Sequence, residues 1–414
     1  MAVVIAATFA LWTQLIQQRA SVVVSDAVQY YLMAEQMAAR EVPFAEVPYV
    51  YRLGVPWIVS RVSPVDPMAG FFVVNVACGL VAAALLSLWL RHGVERLTVR
   101  LGLVTCFAAA WHGPVRYVHY NNGYVDPLFL VCVILALAAI ESFNRHGSLA
   151  TLAVLTTLSL VGAFVRETMV LLPVSALAAS PSGPAANSWR APLQPSWLRA
   201  WPVAAAVAGI AITHSVVVTD TERSFVSAAA QWVRKPPTAY LLAWFTAYGP
   251  ALALLFFDWR NVGRDLGERR HVAVYLGLCA ALAFFGGSDT ERFLFWAMPV
   301  VYLLIGRVVE RRLSIVRGPM VAGALLVGQA VSERIFWAIP DTRMEGEALG
   351  VGAGWVARTY GFFDRLLVVE HFHYNLWSSF GSPTFRLLRL AMYVVVTAVL
   401  LWAMARRARE VHTE

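Results

Sequence analysis

Charge is what this chain has least of: 14% of its 414 residues are Asp, Glu, Lys or Arg, against about a quarter in a soluble globular domain. That shortage excludes a solvated surface over most of the molecule. The hydrophobic 59% is gathered into repeated apolar runs, the pattern of a polytopic α-helical membrane protein. A transmembrane β-barrel would need polar and apolar residues alternating in segments of about ten, and that alternation is missing. Lysine is nearly absent, Lys235 being the only one. The net charge of +8 is therefore arginine charge, and it sits in short loops between apolar runs, as membrane anchoring requires. It is no nucleic-acid signature, and no nucleic-acid partner is expected. Cys78, Cys106, Cys132 and Cys279 all fall inside apolar runs, without metal-site spacing or a loop position for a disulfide, and read as small buried hydrophobes. The first run, Ala2 to Ile16, lacks a basic n-region and reads as a short span rather than a signal peptide. There is no internal repeat.

The apolar runs predict an all-α protein of about twelve spans, near residues 2–18, 68–90, 101–113, 125–141, 149–164, 168–180, 202–218, 239–257, 272–287, 293–306, 318–332 and 388–405. Several are shorter than the ~20 residues a straight spanning helix needs. A Pro- and Ser-rich linker at 181–196 divides two halves without a soluble domain on either side. Arg91, Arg96, Arg100, Arg145, Arg190, Arg199, Arg260, Arg264, Arg269, Arg270, Arg307, Arg311, Arg312, Arg317, Arg406, Arg407 and Arg409 fall on one side, which the positive-inside tendency makes cytoplasmic. Both termini are then expected inside. The opposite face receives the long segments 19–67 and 333–387, and most of the acidic residues.

The most informative polar segment follows the first run: Ser25-Asp26-Ala27-Val28-Gln29-Tyr30-Tyr31-Leu32-Met33-Ala34-Glu35. Apolar positions Ala27, Tyr30 or Tyr31, Ala34 and Met37 or Ala38 recur at helical spacing, predicting an amphipathic helix on the outer surface. Ser25 as cap and Asp26 at the positive end of the helix dipole give a purely structural account of these two residues. Further on, Pro48-Tyr49-Val50-Tyr51-Arg52-Leu53-Gly54-Val55-Pro56-Trp57 places an arginine among aromatics. Together the two segments resemble the first extracytoplasmic loop of the GT-C superfamily of membrane glycosyltransferases, which take sugars from polyprenyl-phosphate carriers. Asp26, Tyr30, Tyr31, Glu35, Arg52 and Pro56 fit that pattern. The resemblance continues at Asn121-Asn122-Gly123-Tyr124-Val125-Asp126-Pro127, at Val165-Arg166-Glu167-Thr168, and at Ser288-Asp289-Thr290-Glu291-Arg292-Phe293 before Pro299. It covers roughly residues 1–300, implying a catalytic module there, with C-terminal helices and a long outer loop at 301–414.

What the resemblance implies is an inverting glycosyltransferase of a bacterial inner membrane with Asp26 as general base. Many members carry paired acids in the first loop, whereas Ser25-Asp26 offers one, so a metal-bridged donor is not expected and no cofactor is implied. Without a metal, the growing charge on a lipid-phosphate leaving group needs fixed cations, and the arginine fork suits phosphate oxygens. Arg292, Arg166 and Arg52 are the chosen candidates, with Arg116 also on the outer face. Each also has a plain reading as an interfacial snorkel. Tyr30, Tyr31, Glu35, His119, Asp126, Asp289, His371 and His373 are candidate substrate contacts. Asp126 before Pro127 is equally the usual helix start. His371 and His373 share a side only on an extended strand, and a metal there would need more ligands, Glu370 being nearest. The expected partners are a polyprenyl-phosphate sugar, a lipid or glycan acceptor, and membrane lipids. Two other classes remain open: a polyprenyl-lipid flippase or transporter, and an O-antigen ligase or polymerase whose decisive Arg and His would lie late in the chain. Span centres nearly free of charge argue against ion-coupled transport.

Overall fold

Helices follow one another with almost no other secondary structure in the computed structural model, which describes residues 27–110, 113, 123–178, 196–219, 230, 235–287, 290–333 and 383–413. Asp26, Arg116, His119, Asp289, His371 and His373 lie outside the described residues, as does most of the 181–196 linker. Among the described residues there is no strand; a single bridge pairs Phe44 with Val218.

Helix α1 (Ala27–Ala38) and α2 (Gly54–Val62) precede the first long helix, α3 (Pro67–Leu90), and then α4 (Leu97–Ala109). Helix α5 (Asp126–His146) turns through a left-handed Gly147 into α6 (Leu149–Val165), followed by α7 (Leu171–Leu177) and α8 (Trp201–Val216). Next come α9 (Pro237–Tyr248), α10 (Leu252–Phe257), α11 (Trp259–Glu268), α12 (Arg270–Phe285), α13 (Thr290–Phe295), α14 (Met298–Arg311), α15 (Leu313–Val316) and α16 (Pro319–Ser332). The last is α17 (Pro383–Thr413). Prolines sit in the first turn of α3, α5, α8, α9, α14 and α16. A first-turn proline gives up no intrahelical hydrogen bond and sets φ for the helix. Proline thus marks where these helices begin without interrupting them.

Among the described residues, four stretches are long and apolar enough to cross a membrane: Pro67–Leu90, Asp126–His146, Pro237–Phe257 and Arg386–Val411. This is the architecture of an all-α membrane protein. Helices also occupy the expected runs near 101–113, 149–164, 168–180, 202–218, 272–287, 293–306 and 318–332, but they are shorter. The boundary drawn near residue 300 falls inside α14, and the expected loop 333–387 ends earlier, because α17 begins at Pro383. Large apolar side chains face outward on several helices, among them Val73, Leu88, Val161, Val207, Leu326, Val395 and Trp402. Such a belt is unfavourable in water and neutral against hydrocarbon. Helix α1 buries Ala27, Tyr30, Tyr31 and Ala34, the expected face, and packs on α2 and α3 while Leu32 and Glu35 point out. Cys132 and Cys279 are buried, Cys78 and Cys106 partly so, and all four are free thiols.

At Gly249 both backbone geometry and packing call for glycine. Gly249 between α9 and α10 has φ of 65°, and the Gln329 amide occupies the space a Cβ would need. From there Gln329 donates to the Tyr248 carbonyl and accepts from Ala251 N, tying α16 to the break. Gly249→Ala is expected to destabilise the protein by about 1–3 kcal/mol through a strained backbone. The check is a lowered unfolding midpoint in detergent.

Polar groups collect at two opposite ends of the bundle. Helix α5 has Asp126 at one end and Glu141 near the other, about 22 Å apart at 1.5 Å per residue. Glu141 meets Arg145 at 2.8 Å and His271 at 3.1 Å, and Arg269 donates to the His92 carbonyl at 2.8 Å. At that same end, Arg311 bridges Asp258 and Asp265, while Arg312 holds Asp258 and Arg307 holds Asp265. Burial alone would raise the Asp258 carboxyl, but hydrogen bonds from Arg312, Asn261 and Arg311 outweigh it and hold the group below the usual carboxylate range. Its stabilising contribution is therefore present above the unfolded carboxyl value of about 3.9 and is lost as pH falls through the lower folded value. Asp258→Asn should cost about 1–3 kcal/mol at neutral pH. In unfolding titrations, its difference from wild type should persist down to about pH 4 and shrink below that.

Candidate functional site

At the Asp126 end, a chain break produces the site. Helix α6 stops at Val165; Arg166 is extended, with φ of −161° and ψ of 132°, and a single 3-10 turn, Glu167–Val170, follows. The break sends two adjacent charged side chains to different partners. Arg166, 1% exposed, donates from Nη1 to Asp126 Oδ1 at 3.0 Å. The same oxygen accepts from Trp296 Nε1 at 2.9 Å, and the Arg166 guanidinium lies 4.3 Å from the Trp296 ring centroid. Trp296 is held edge-on by Phe129 and Phe293, with centroids at 5.1 and 4.9 Å. Asp126 is the first residue of α5 and makes no capping bond; Val125 is the cap. Its carboxylate thus departs from the ordinary helix-start role and serves a tertiary ion pair.

Glu167 takes Arg52. Arg52 donates from Nε and Nη2 to the two carboxylate oxygens at 2.9 and 2.6 Å, and from Nη1 to the Tyr30 hydroxyl at 2.8 Å. It is 6% exposed. This fork-on-carboxylate arrangement uses three of the five N–H donors of the guanidinium. Tyr30 comes from α1, Arg52 from the loop before α2, and Glu167 from the turn after α6, so one interaction joins three segments.

Arg292, in α13, is buried with its guanidinium 4.8 Å from the Tyr124 ring centroid. Tyr124 is anchored in turn: Asn75 of α3 donates to its carbonyl at 2.8 Å. Its neighbour Gly123 abuts Ala27, where an added Cβ would lie 2.5 Å from the Ala27 Cβ. The residue that follows Asp26 in the chain is therefore packed against the Tyr124 segment. Lys235 closes the arrangement. Its ammonium donates to the carbonyls of Ala283 and Gly287 and to Thr290 Oγ1 at 2.6–2.7 Å, tethering the end of α12 to the start of α13.

Among the described residues this end brings together the guanidiniums of Arg52, Arg166 and Arg292 and the Lys235 ammonium with the carboxylates of Asp126, Glu167 and Glu291, four positive charges against three negative. Asp126 Oδ2 and Arg166 Nε, both buried, have no hydrogen-bond partner among them. Buried ion pairs carry a large desolvation cost and are weak sources of stability. Within apolar helices, ionisable groups of this kind mark a functional site. Of the residues singled out in sequence, Tyr30, Arg52, Asp126, Arg166 and Arg292 meet here. Tyr31 is buried one position away, edge-on to Phe71, and Glu35 lies on the exposed face of α1. Sequence reasoning missed Trp296 and Asn75. Both lie inside apolar runs, and only the polar tip of each takes part. No group of three potential metal ligands occurs among the described residues. No family model, no curated protein and no solved structure matches this chain.

Removing one member of a buried pair leaves the other charge unpaired. Glu167→Ala is therefore expected to destabilise by about 3–5 kcal/mol. The double substitution Arg52→Met with Glu167→Leu should cost clearly less than the sum of the single changes. A double-mutant cycle on unfolding midpoints in detergent measures the coupling.

Proposed function

We propose that this protein is an inverting membrane glycosyltransferase that moves a sugar from a polyprenyl-phosphate donor to an acceptor hydroxyl at the extracytoplasmic face. The observation that carries this reading is the convergence of Arg52, Arg166 and Arg292, all buried, at one end of an apolar helical bundle. A lipid phosphate is the anion that a membrane delivers to such a place, and forked donors bind its oxygens. The arginine loops cluster at the opposite end, which puts this end outside by the positive-inside tendency.

In the reaction the acceptor oxygen attacks the anomeric carbon, and the bond from that carbon to the phosphate oxygen breaks with inversion. The hydroxyl proton passes to a carboxylate, and the lipid phosphate departs with its charge held by arginine. Asp126 and Glu167 are poor bases for this step. Asp126 already accepts from Arg166 and Trp296, and both oxygens of Glu167 accept from Arg52. Hydrogen bonds to the charged form of a carboxylate weaken it as a base. The resemblance of the first loop gives the base role to Asp26, whose chain neighbour Ala27 packs beside Gly123. Arg52, held by Glu167 and Tyr30 through three hydrogen bonds, serves as a brace between the first loop and the α6 break. Arg292 and Arg166 take the phosphate.

A positioned base contributes roughly 10²–10⁴-fold, so Asp26→Asn should lower kcat by that factor while the unfolding midpoint holds. Arg292→Gln should lower kcat and raise KM for the donor. The assay is transfer from a labelled polyprenyl-phosphate sugar by detergent-extracted protein. Near-normal transfer by a folded Asp26→Asn protein would rule the reading out.

A further inference from the structure

Lysine occurs once in this chain; every other Lys-or-Arg position holds arginine. The one lysine is where arginine would not fit. Lys235, 5% exposed, lies just before α9 and donates from Nζ to the Ala283 carbonyl at 2.6 Å, to the Gly287 carbonyl at 2.7 Å and to Thr290 Oγ1 at 2.7 Å. Three acceptors match the three N–H donors of an ammonium. An ammonium is a compact charge that turns its donors to oxygens around it, whereas the five arginine donors are fixed in one plane and suit a flat, two-oxygen partner.

The oxygens come from a helix junction. Ala283 is among the last four residues of α12, whose carbonyls lack an intrahelical partner and carry the negative end of the helix dipole. Gly287 follows at a φ of 146°, a backbone conformation open to glycine and rarely to other residues, and from it offers the second carbonyl. Thr290, fully buried, begins α13 and offers the third oxygen from its side chain. Without the ammonium, the Ala283 carbonyl and the Thr290 hydroxyl would each lose a buried partner, which is costly away from water.

Helix α13 carries Arg292, and three side chains grip it and the residue after it. Lys235 holds the end before Arg292 through Thr290. Beyond Arg292, the Tyr248 hydroxyl donates to the Leu294 carbonyl, and the Tyr275 hydroxyl donates to the Trp296 carbonyl at 3.1 Å. We propose that Lys235 is a tethered cation in a three-oxygen cage, and that it positions Arg292 by fixing the start of α13. The cage takes up its three donors, so Lys235 is a positioning residue and not a phosphate ligand. The cage rests on these contacts; the phosphate that Arg292 meets rests on the glycosyltransferase reading.

The test uses the full-length protein in detergent, with unfolding midpoints and native mass spectrometry of bound polyprenyl phosphate as separate readouts. Lys235→Ala should lower the midpoint and weaken polyprenyl phosphate about tenfold or more, the scale of a misplaced binding group. Methylammonium replaces the lost Cε and Nζ with the same three donors. It should restore both readouts in Lys235→Ala and change neither in wild type. Tetramethylammonium, charged but without a donor, should restore neither, and Lys235→Arg, which keeps the charge, should behave as Lys235→Ala. If methylammonium restores nothing, or if Lys235→Arg binds polyprenyl phosphate as wild type does, the cage is overturned. Recovery of the midpoint without recovery of lipid binding would leave Lys235 a structural brace and overturn its positioning role. If Lys235→Ala does not fold, Thr290→Val removes one cage oxygen with Lys235 in place and should weaken polyprenyl phosphate several-fold; unchanged binding would overturn the proposal. If Arg292→Gln binds polyprenyl phosphate as well as wild type while methylammonium still rescues the Lys235→Ala midpoint, the donor-phosphate role of Arg292 falls and the cage remains.

Discussion

A guanidinium buried among apolar helices has to find an anion, and Arg166 finds Asp126. The pair is 3.0 Å apart, with Trp296 donating to the same carboxylate oxygen. At low effective dielectric such an attraction is strong, yet it must first offset the desolvation of both ions. The geometry therefore acts mainly as a constraint. It fixes the first turn of α5, the break after α6 and the α13–α14 junction relative to one another. Once these are fixed, Arg52 can reach Glu167 next to the same break, Tyr124 can sit under Arg292, and α1 can close over Gly123.

The bundle separates two kinds of electrostatics. At the Asp258 end, carboxylates and arginines interleave: Arg311 spans two acids and Asp258 takes two arginines, an arrangement that locks α14 to the turn between α10 and α11 and to α11 itself. At the Asp126 end, two arginines are paired one to one with carboxylates and Arg292 lies against the Tyr124 ring. Arginines hold Glu167 and Asp126, so on the proposed reading the base is a carboxylate outside both pairs. Arg389 of α17 extends the same end, joined to it through Glu291.

Much of the helical layout was legible in residue order. Apolar runs marked α3, α5, α9 and α16 closely, because lipid allows a spanning segment little besides helix. The helical spacing of Ala27, Tyr30, Tyr31 and Ala34 likewise gave the buried face of α1. Arg52, Arg166 and Arg292 stood out as charges beside apolar runs. Three things were not legible. Asp126 read as an ordinary helix start, since nothing local distinguishes a capping carboxylate from one turned toward a residue 40 positions away. Trp296 and Asn75 looked like core residues, because only their polar tips carry the interaction. The contact of Arg389 with Thr246 and Glu291 was not visible either, because exposed snorkels and buried arginines look alike in sequence.

By itself, then, the sequence determined that this is an all-helical membrane protein, where its helices run and which end collects arginine, since those follow from hydropathy and period, both local quantities. Tertiary structure alone decided which charge pairs with which: Arg52 with Glu167, Arg166 with Asp126, Arg389 beside Glu291. Pairing depends on which helix ends meet in space, and in a low-dielectric interior that choice separates a charge already neutralised from one still able to bind an anion.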